Sequence, residues 1–245
     1  PSQIMDISAL PALRGISRND NGWAIGATST WTDIITSDLP PAFDGLKAAA
    51  RTIGSIQIQN AGTIGGNICN ASPAADSPPA VIVLGGVCHI IGPNGSREVA
   101  AEDFFTGPGQ SVLENGELLL AVHLPTPVAN SGAFFLRFIP RNEMDIAVAN
   151  AAVSVVLNVD KTIIESAKVA IGAVAPTPLL VADAGAALAG KSVDDEDAIE
   201  AACAASRAAA NPITDMRGTI EQRIHLSGVL TRRAIEGAVQ RAKES

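Results

Sequence analysis

The second half of the chain sets the tightest limit on the fold. Three long strand-like runs, "AFFLRFIP", "IAVANAAVSVVLNV" and "IIESAKVAIGAVA", follow Gly132, and from Pro176 the pattern turns helical and stays so. Apolar runs rich in β-branched and aromatic residues suit strands, and "VDKT" between the last two reads as the turn of an antiparallel meander. Strands in one block followed by helices in another imply an α+β layer rather than a parallel α/β alternation. The helical block divides into "LLVADAGAALAG", closed by a glycine, "DDEDAIEAACAASRAAA", stopping before Pro212, and "GTIEQRIHLSGVLTRRAIEGAVQRAKE". This C-terminal part is therefore expected to be a three-stranded antiparallel sheet with helices.

Pattern and composition change across 126–132, "TPVANSG", which reads as a linker and divides the chain into 1–128 and 129–245. In the first part, "IMDIS" and "GWAIGAT" read as short strands. Ser29 or Thr30 is placed to cap a helix through "STWTDIIT", with Asp33 in its first turn, where the helix dipole favours negative charge. Prolines open a second helix over roughly 41–51, and Trp23 and Trp31 beside it read as core. "SPPAVIVLGG" reads as a short helix capped by Ser77. Then "VCHII", the tight turn "GPNGS" and "REVAAEDFF" form a hairpin, and "ELLLAVHLP" is a further strand.

Composition excludes several functions. With 245 residues, 47% apolar and 17% charged, the chain is globular rather than disordered. A net charge of −8 and 3% aromatic residues, with no cluster of Lys and Arg, argue against nucleic acid. No apolar run approaches the roughly 18–20 residues of a membrane span, and the start, at Pro1, does not read as a secretory signal. Cys69, Cys88 and Cys203 are odd in number and lack metal spacing, so a reducing, cytoplasmic setting is expected. His89, His123 and His225 each stand alone, which leaves no protein metal site to expect.

One segment resists a purely structural reading: "NAGTIGGNICNASPAADSPPA", Asn60 to Ala80, whose one charge is Asp76. Adjacent Gly65 and Gly66 permit positive φ and leave room for a ligand to approach the backbone. Consecutive N–H groups then converge into a nest for anionic oxygens. Thr63, Asn67, Asn70 and Ser72 add neutral donors and acceptors, and Asp76 accepts from hydroxyls or ring N–H groups. Neither a phosphate-binding GKS/GKT loop nor the G-x-G-x-x-G fingerprint is present. On the residues alone two readings stay open: a loop for a polar ligand such as a dinucleotide, or a Gly-Gly turn with Asn and Ser capping local backbone.

The same stretch, extended to "NAGTIGGNICNASPAADSPPAVIVLGG", resembles the FAD-binding loop of the xanthine dehydrogenase family, in the flavin (medium) subunit of molybdenum hydroxylases. "IMDISALPALRGI", "WAIGATSTWTDI", "FFLRFIPRNEMDIAVANAAVSVVL" and "DMRGTIEQRIHLSGVLTRRAIEGA" are similar to further parts of that subunit, so the resemblance covers essentially the whole chain. It implies an FAD-binding domain of the vanillyl-alcohol-oxidase type followed by the family's C-terminal domain. It also implies that Thr63, Ile64, Gly65, Gly66 and Asn67 line the FAD through backbone N–H groups and the Thr hydroxyl. Asn70 and Asp76 would hold its ribityl, ribose or pyrophosphate side, and Leu119 would offer backbone to a ring. Arg137, where relatives often have Lys, would stand near the flavin as a positive charge able to favour its reduced anionic form.

The family carries a further pyrophosphate loop ahead of this start, and nothing in residues 1–30 matches it. The expected partners are a small subunit with two 2Fe-2S clusters and a large subunit with molybdopterin. Three scattered cysteines cannot hold those clusters here. Electrons would pass through FAD to NAD, a quinone or oxygen. Two alternatives are a flavin-free docking subunit of the same kind of complex, and a stand-alone flavoenzyme like the enolpyruvylglucosamine reductases. The latter needs a catalytic acid, for which the sequence offers no candidate.

Overall fold

The computed structural model describes residues 4–141 and 144–245. "IMDIS" is irregular backbone rather than the expected strand, leading into a 3-10 turn at Pro11–Leu13. Ile4 and Met5 are exposed, so no apolar face draws this segment into a sheet. The first hairpin is β1 (Ile16–Asn19) with β2 (Gly22–Gly26). A run of helices follows: α1 (Trp31–Ile35), α2 (Asp44–Thr52), α3 (Ile56–Ala61), α4 (Ile64–Asn70) and α5 (Ser77–Val83). At the start of α1 the Thr30 hydroxyl accepts from the Asp33 N–H at 3.1 Å, and the Asp33 carboxylate accepts from the Thr30 N–H at 2.9 Å. That reciprocal cap satisfies two amides a helix start otherwise leaves open. At α5 the capping residue is Asp76, not Ser77, and no side chain caps it. Pro78 and Pro79 have no N–H for a cap to satisfy.

Next come the hairpin β3 (Val87–Gly92) and β4 (Gly95–Ala100), the small pair β5 (Phe105–Gly107) and β6 (Gln110–Ser111), and β7 (Leu118–Pro125). One five-stranded antiparallel sheet has the order β1-β2-β7-β3-β4. His89 and His123 sit on its outer face, where their sequence positions put them, with ring centroids 5.6 Å apart.

The second half forms the expected meander, β8 (Ser131–Phe138), β9 (Ala149–Leu157) and β10 (Ile164–Gly172). The sheet has a fourth strand, however: β11 (Leu179–Leu180) pairs with β10, giving β11-β10-β9-β8. The helical pattern is expected to take in those leucines; Pro178 keeps Thr177 before it out of helical backbone, and the helix begins only at Ala182. Three helices cover one face, α6 (Ala182–Leu188), α7 (Glu196–Ala209) and α8 (Ile220–Glu244).

The period of two along β9 explains why its sequence is apolar on both sides. Ala149, Ala151, Val153 and Val155 join the cluster under α7 and α8. Ala152, between them, joins the core of the first half together with Phe135 and Ala170. The second sheet is thus sandwiched between its own helices and α2 and α5.

Close approach of α8 to β8 depends on Gly132. A Cβ there would fall onto the carbonyl of Ala238 and the amide of Ala242, backbone that cannot step aside. Gly132→Ala is expected to cost about 1–3 kcal/mol, read as a lower melting temperature.

Candidate functional site

The centre of the glycine stretch is a helix start. Thr63 precedes α4, and its hydroxyl accepts from the Gly66 N–H at 3.0 Å. Gly65 and Gly66 are helical, and neither has positive φ, contrary to the nest expected from their adjacency. The amides of this turn are also engaged within the chain. Ile64 donates to the Ser29 carbonyl at 3.1 Å, Gly65 to Ala27 at 2.9 Å, and Asn67 to Thr63 at 3.1 Å.

A helical glycine costs up to about 1 kcal/mol relative to alanine, so two together require a reason. For Gly65 it is packing: a Cβ would lie 2.6 Å from both the Cβ and the carbonyl oxygen of Ala27. Gly66 has a different one. Its Cβ would meet only the Thr63 hydroxyl, at 3.0 Å, and the residue is exposed on a cleft.

That first cleft measures about 590 Å³ and is lined by Thr63, Gly65, Gly66, Cys69, Glu117 and Leu119, among others. Burial pushes the Cys69 thiol up to about 11, so it offers no nucleophile near neutral pH. Glu117 is the opposite case. Arg97 donates to it through Nε and Nη2, each at 2.7 Å, and the Glu114 N–H donates at 2.7 Å. These bonds, Arg97 first, hold the Glu117 carboxyl down at about 2.

A depressed acid stabilises the fold above its unfolded value, and that stability is lost as pH falls from about 4.5 to about 2. Arg97→Met is therefore expected to lower the melting temperature at neutral pH and to flatten its fall in acid; melting curves across that range check this.

A second cleft, of about 770 Å³, is lined by α3 residues together with Arg51, Thr52, Arg137 and Met144. At its edge Asp76 and Arg137, expected as separate ligand contacts, are bonded to each other. Arg137 Nη1 donates to Asp76 Oδ2 at 2.6 Å, with the two side chains only 10% and 5% exposed. Burial pushes the Asp76 carboxyl up from the usual range, against the pull of Arg137, Asn150 and Thr52. Asn150 Nδ2 donates to Asp76 Oδ1 and to the Ala75 carbonyl, both at 3.2 Å.

The structure thus divides the sequence-predicted set. Thr63, Gly65, Gly66 and Leu119 share the first cleft; Arg137 lines the second, with Asp76 behind it. Asn67 lines neither, its Oδ1 accepting from the Ser77 hydroxyl at 2.7 Å. Ile64 is in the core and Asn70 is exposed. Sequence reading missed Glu117 and Asn150; the second was visible as a polar residue in an otherwise apolar run.

The fit to FAD can be judged from these features. A largely apolar cleft with few polar groups suits a planar ring, and the bare face of Gly66 admits a ligand against backbone. The second cleft, at the preceding helix α3, has room for a second ring. Among the described residues no group of three or more His, Cys, Asp or Glu could hold a metal ion, and no helix is long and apolar enough to cross a membrane.

Two family descriptions match the chain: the FAD binding domain in molybdopterin dehydrogenase over residues 1–127, and the CO dehydrogenase flavoprotein C-terminal domain over 134–238. The chain is 35% identical over 244 residues to the carbon monoxide dehydrogenase medium chain of Afipia carboxidovorans, covering 99% of this chain and 83% of that one. It is 33% identical to the xanthine dehydrogenase FAD-binding subunit of Escherichia coli, covering 98% and 82%. Its fold matches a chain of the crystallised Cu,Mo-CO dehydrogenase, cyanide-inactivated form, with a TM-score of 0.92 and 34% identity, covering 96% and 82%.

Proposed function

Because the chain belongs to the family of FAD-binding medium subunits of molybdopterin dehydrogenases, we propose that it passes electrons from 2Fe-2S clusters in a small partner subunit to NAD, a quinone or oxygen. The substrate would be hydroxylated at molybdopterin in a large partner subunit. The observation that carries the reading is the division of the expected site residues between two clefts, one at α3 and one at α4, which supports one per ring of a dinucleotide. Bound FAD supplies the electron exchange; the protein supplies position and electrostatics.

The residue roles follow from that division. In the first cleft Gly66 gives close backbone approach, the Thr63 hydroxyl is held by its cap bond, and Leu119 offers strand backbone and an apolar wall. Ile64 and Gly65 act through backbone by docking α4 on Ala27 and Ser29, while Asn67 and Asn70 bring amide groups to the linker side. In the second cleft Arg137, held by Asp76, would supply a positive charge to the isoalloxazine. No acid–base pair is assigned. The proposed domain boundary, between 128 and 129, is supported by the gap between the two matched families, and the unpaired Cys69, Cys88 and Cys203 support a cytoplasmic setting.

The test is anaerobic: the assembly is isolated through this chain, its iron–sulfur clusters are reduced by the large subunit's substrate, and flavin absorbance is followed. Flavin bleaching, reversed by one of the three acceptors, is the expected result. Clusters that reduce while the flavin stays oxidised would remove this chain from the electron path.

A further inference from the structure

Asn150 is wholly buried in β9, yet it is not part of the apolar packing around it. The sheet register places it directly opposite Arg137 on β8 and directly opposite Gly172 on β10. All three point to the face that meets the first half of the chain, where directly opposed side chains lie within reach of one another. From that row Arg137 and Asn150 reach the same carboxylate, one at each oxygen: Arg137 Nη1 to Asp76 Oδ2 at 2.6 Å, Asn150 Nδ2 to Asp76 Oδ1 at 3.2 Å.

Thr52, with a single hydroxyl proton, is placed between the Ala49 carbonyl at 2.7 Å and Asp76 Oδ2 at 3.2 Å. Gly172 completes the row by having no side chain, since a Cβ there would overlap Asn150 Oδ1. That oxygen has no hydrogen-bond partner among the described residues. A buried acceptor without a partner is costly, and Asn150 bears that cost beside the two bonds that its Nδ2 makes to Asp76 and the Ala75 carbonyl.

We propose that Asn150 is a positioning residue for the flavin site: from the C-terminal sheet it fixes the Asp76 carboxylate, and Asp76 aims the Arg137 guanidinium at the second cleft. Asn150 thereby sets the charge that the isoalloxazine meets without touching it. The proposal rests on the reading that the Arg137 cleft takes the isoalloxazine. Two-electron reduction adds negative charge to the ring system, and a fixed positive charge nearby binds the reduced form more tightly than the oxidised form. Loosening Asp76 lets the guanidinium leave that position, and the preference shrinks.

The experiment measures the midpoint potential of bound FAD and its dissociation constant in the purified assembly, for Asn150→Ala, Arg137→Gln and the double variant. Asn150→Ala is expected to reduce the preference for reduced over oxidised flavin about tenfold, which is about 30 mV downward for the two-electron couple. Arg137→Gln shifts it the same way, and the double variant lies no lower than Arg137→Gln alone, because both changes remove one effect. If Asn150→Ala does not fold, Gly172→Ala, which pushes Asn150 from the other side, is expected to give the same downward shift.

A lowered melting temperature with unchanged potential in whichever variant folds, while Arg137→Gln shifts it, overturns the positioning role. Additive shifts overturn it as well. An Arg137→Gln assembly with unchanged potential and affinity overturns the flavin reading of the cleft, and the proposal with it.

Discussion

Gly65→Val is expected to strip the protein of FAD by two orders of magnitude or more in affinity and to destabilise the fold, while Gly66→Ala lowers affinity and leaves the fold intact. The difference follows from what each side chain would meet. At Gly65 the new Cβ lies 2.6 Å from the Ala27 carbonyl oxygen, which also accepts the Gly65 N–H at 2.9 Å. Relief therefore requires the start of α4 to lift away from the end of β2. Overpacking a tight site costs about 1–3 kcal/mol, and the β-branch adds rotamer strain in a helix. The displaced turn carries Thr63 and Gly66, so the first cleft changes shape. Gly66→Ala meets only the Thr63 hydroxyl and gains up to about 1 kcal/mol of helix propensity, but its methyl group stands in the cleft. Melting curves and FAD titrations of the two variants check both halves of this contrast. Equal loss of stability in both would show that the glycines serve packing alone.

Arg137→Met is expected to cost about 3–5 kcal/mol, because it leaves the buried Asp76 carboxylate without its counter-charge. For a protein of this size that corresponds to a fall of about 10 °C in melting temperature. The double variant Arg137→Met/Asp76→Asn is expected to recover most of the loss, since no buried charge then remains. Recovery of stability is not recovery of function: the double variant also lacks the positive charge at the second cleft, so its flavin affinity stays reduced. The Asp76–Arg137 bond joins the segment before α5 to β8, so these numbers also measure how firmly the two halves of the chain are held together.

The architecture was legible wherever a periodic apolar pattern ran long enough to have one solution. β8, β9 and β10 are such runs, β9 buried on both faces, and α7 and α8 carry caps at Asp195 and Thr219 that the sequence displays. β11 has two residues, too few to show a period, and "IMDIS" alternates without any neighbour to pair with. The candidate site was located by its glycines and by resemblance, but its conformation was not. Adjacent glycines argue for a loop locally, and only the approach of Ala27, distant in sequence, makes a helix with no Cβ at residue 65 the better solution. Likewise nothing local shows that Asp76 and Arg137, 61 residues apart, share one bond. Their pairing is decided by the β8–β9 register and the docking of α5, which are tertiary facts.

The most direct test of the account is the flavin content of the purified, desalted assembly, with the released cofactor identified by mass and with FAD offered back to any preparation that has lost it. One FAD per copy of this chain, reduced in the Gly66→Ala variant with no loss of melting temperature in the flavin-free protein, is the predicted result. A wild-type assembly that releases no flavin and takes up no FAD would contradict the central claim that these two clefts hold the cofactor.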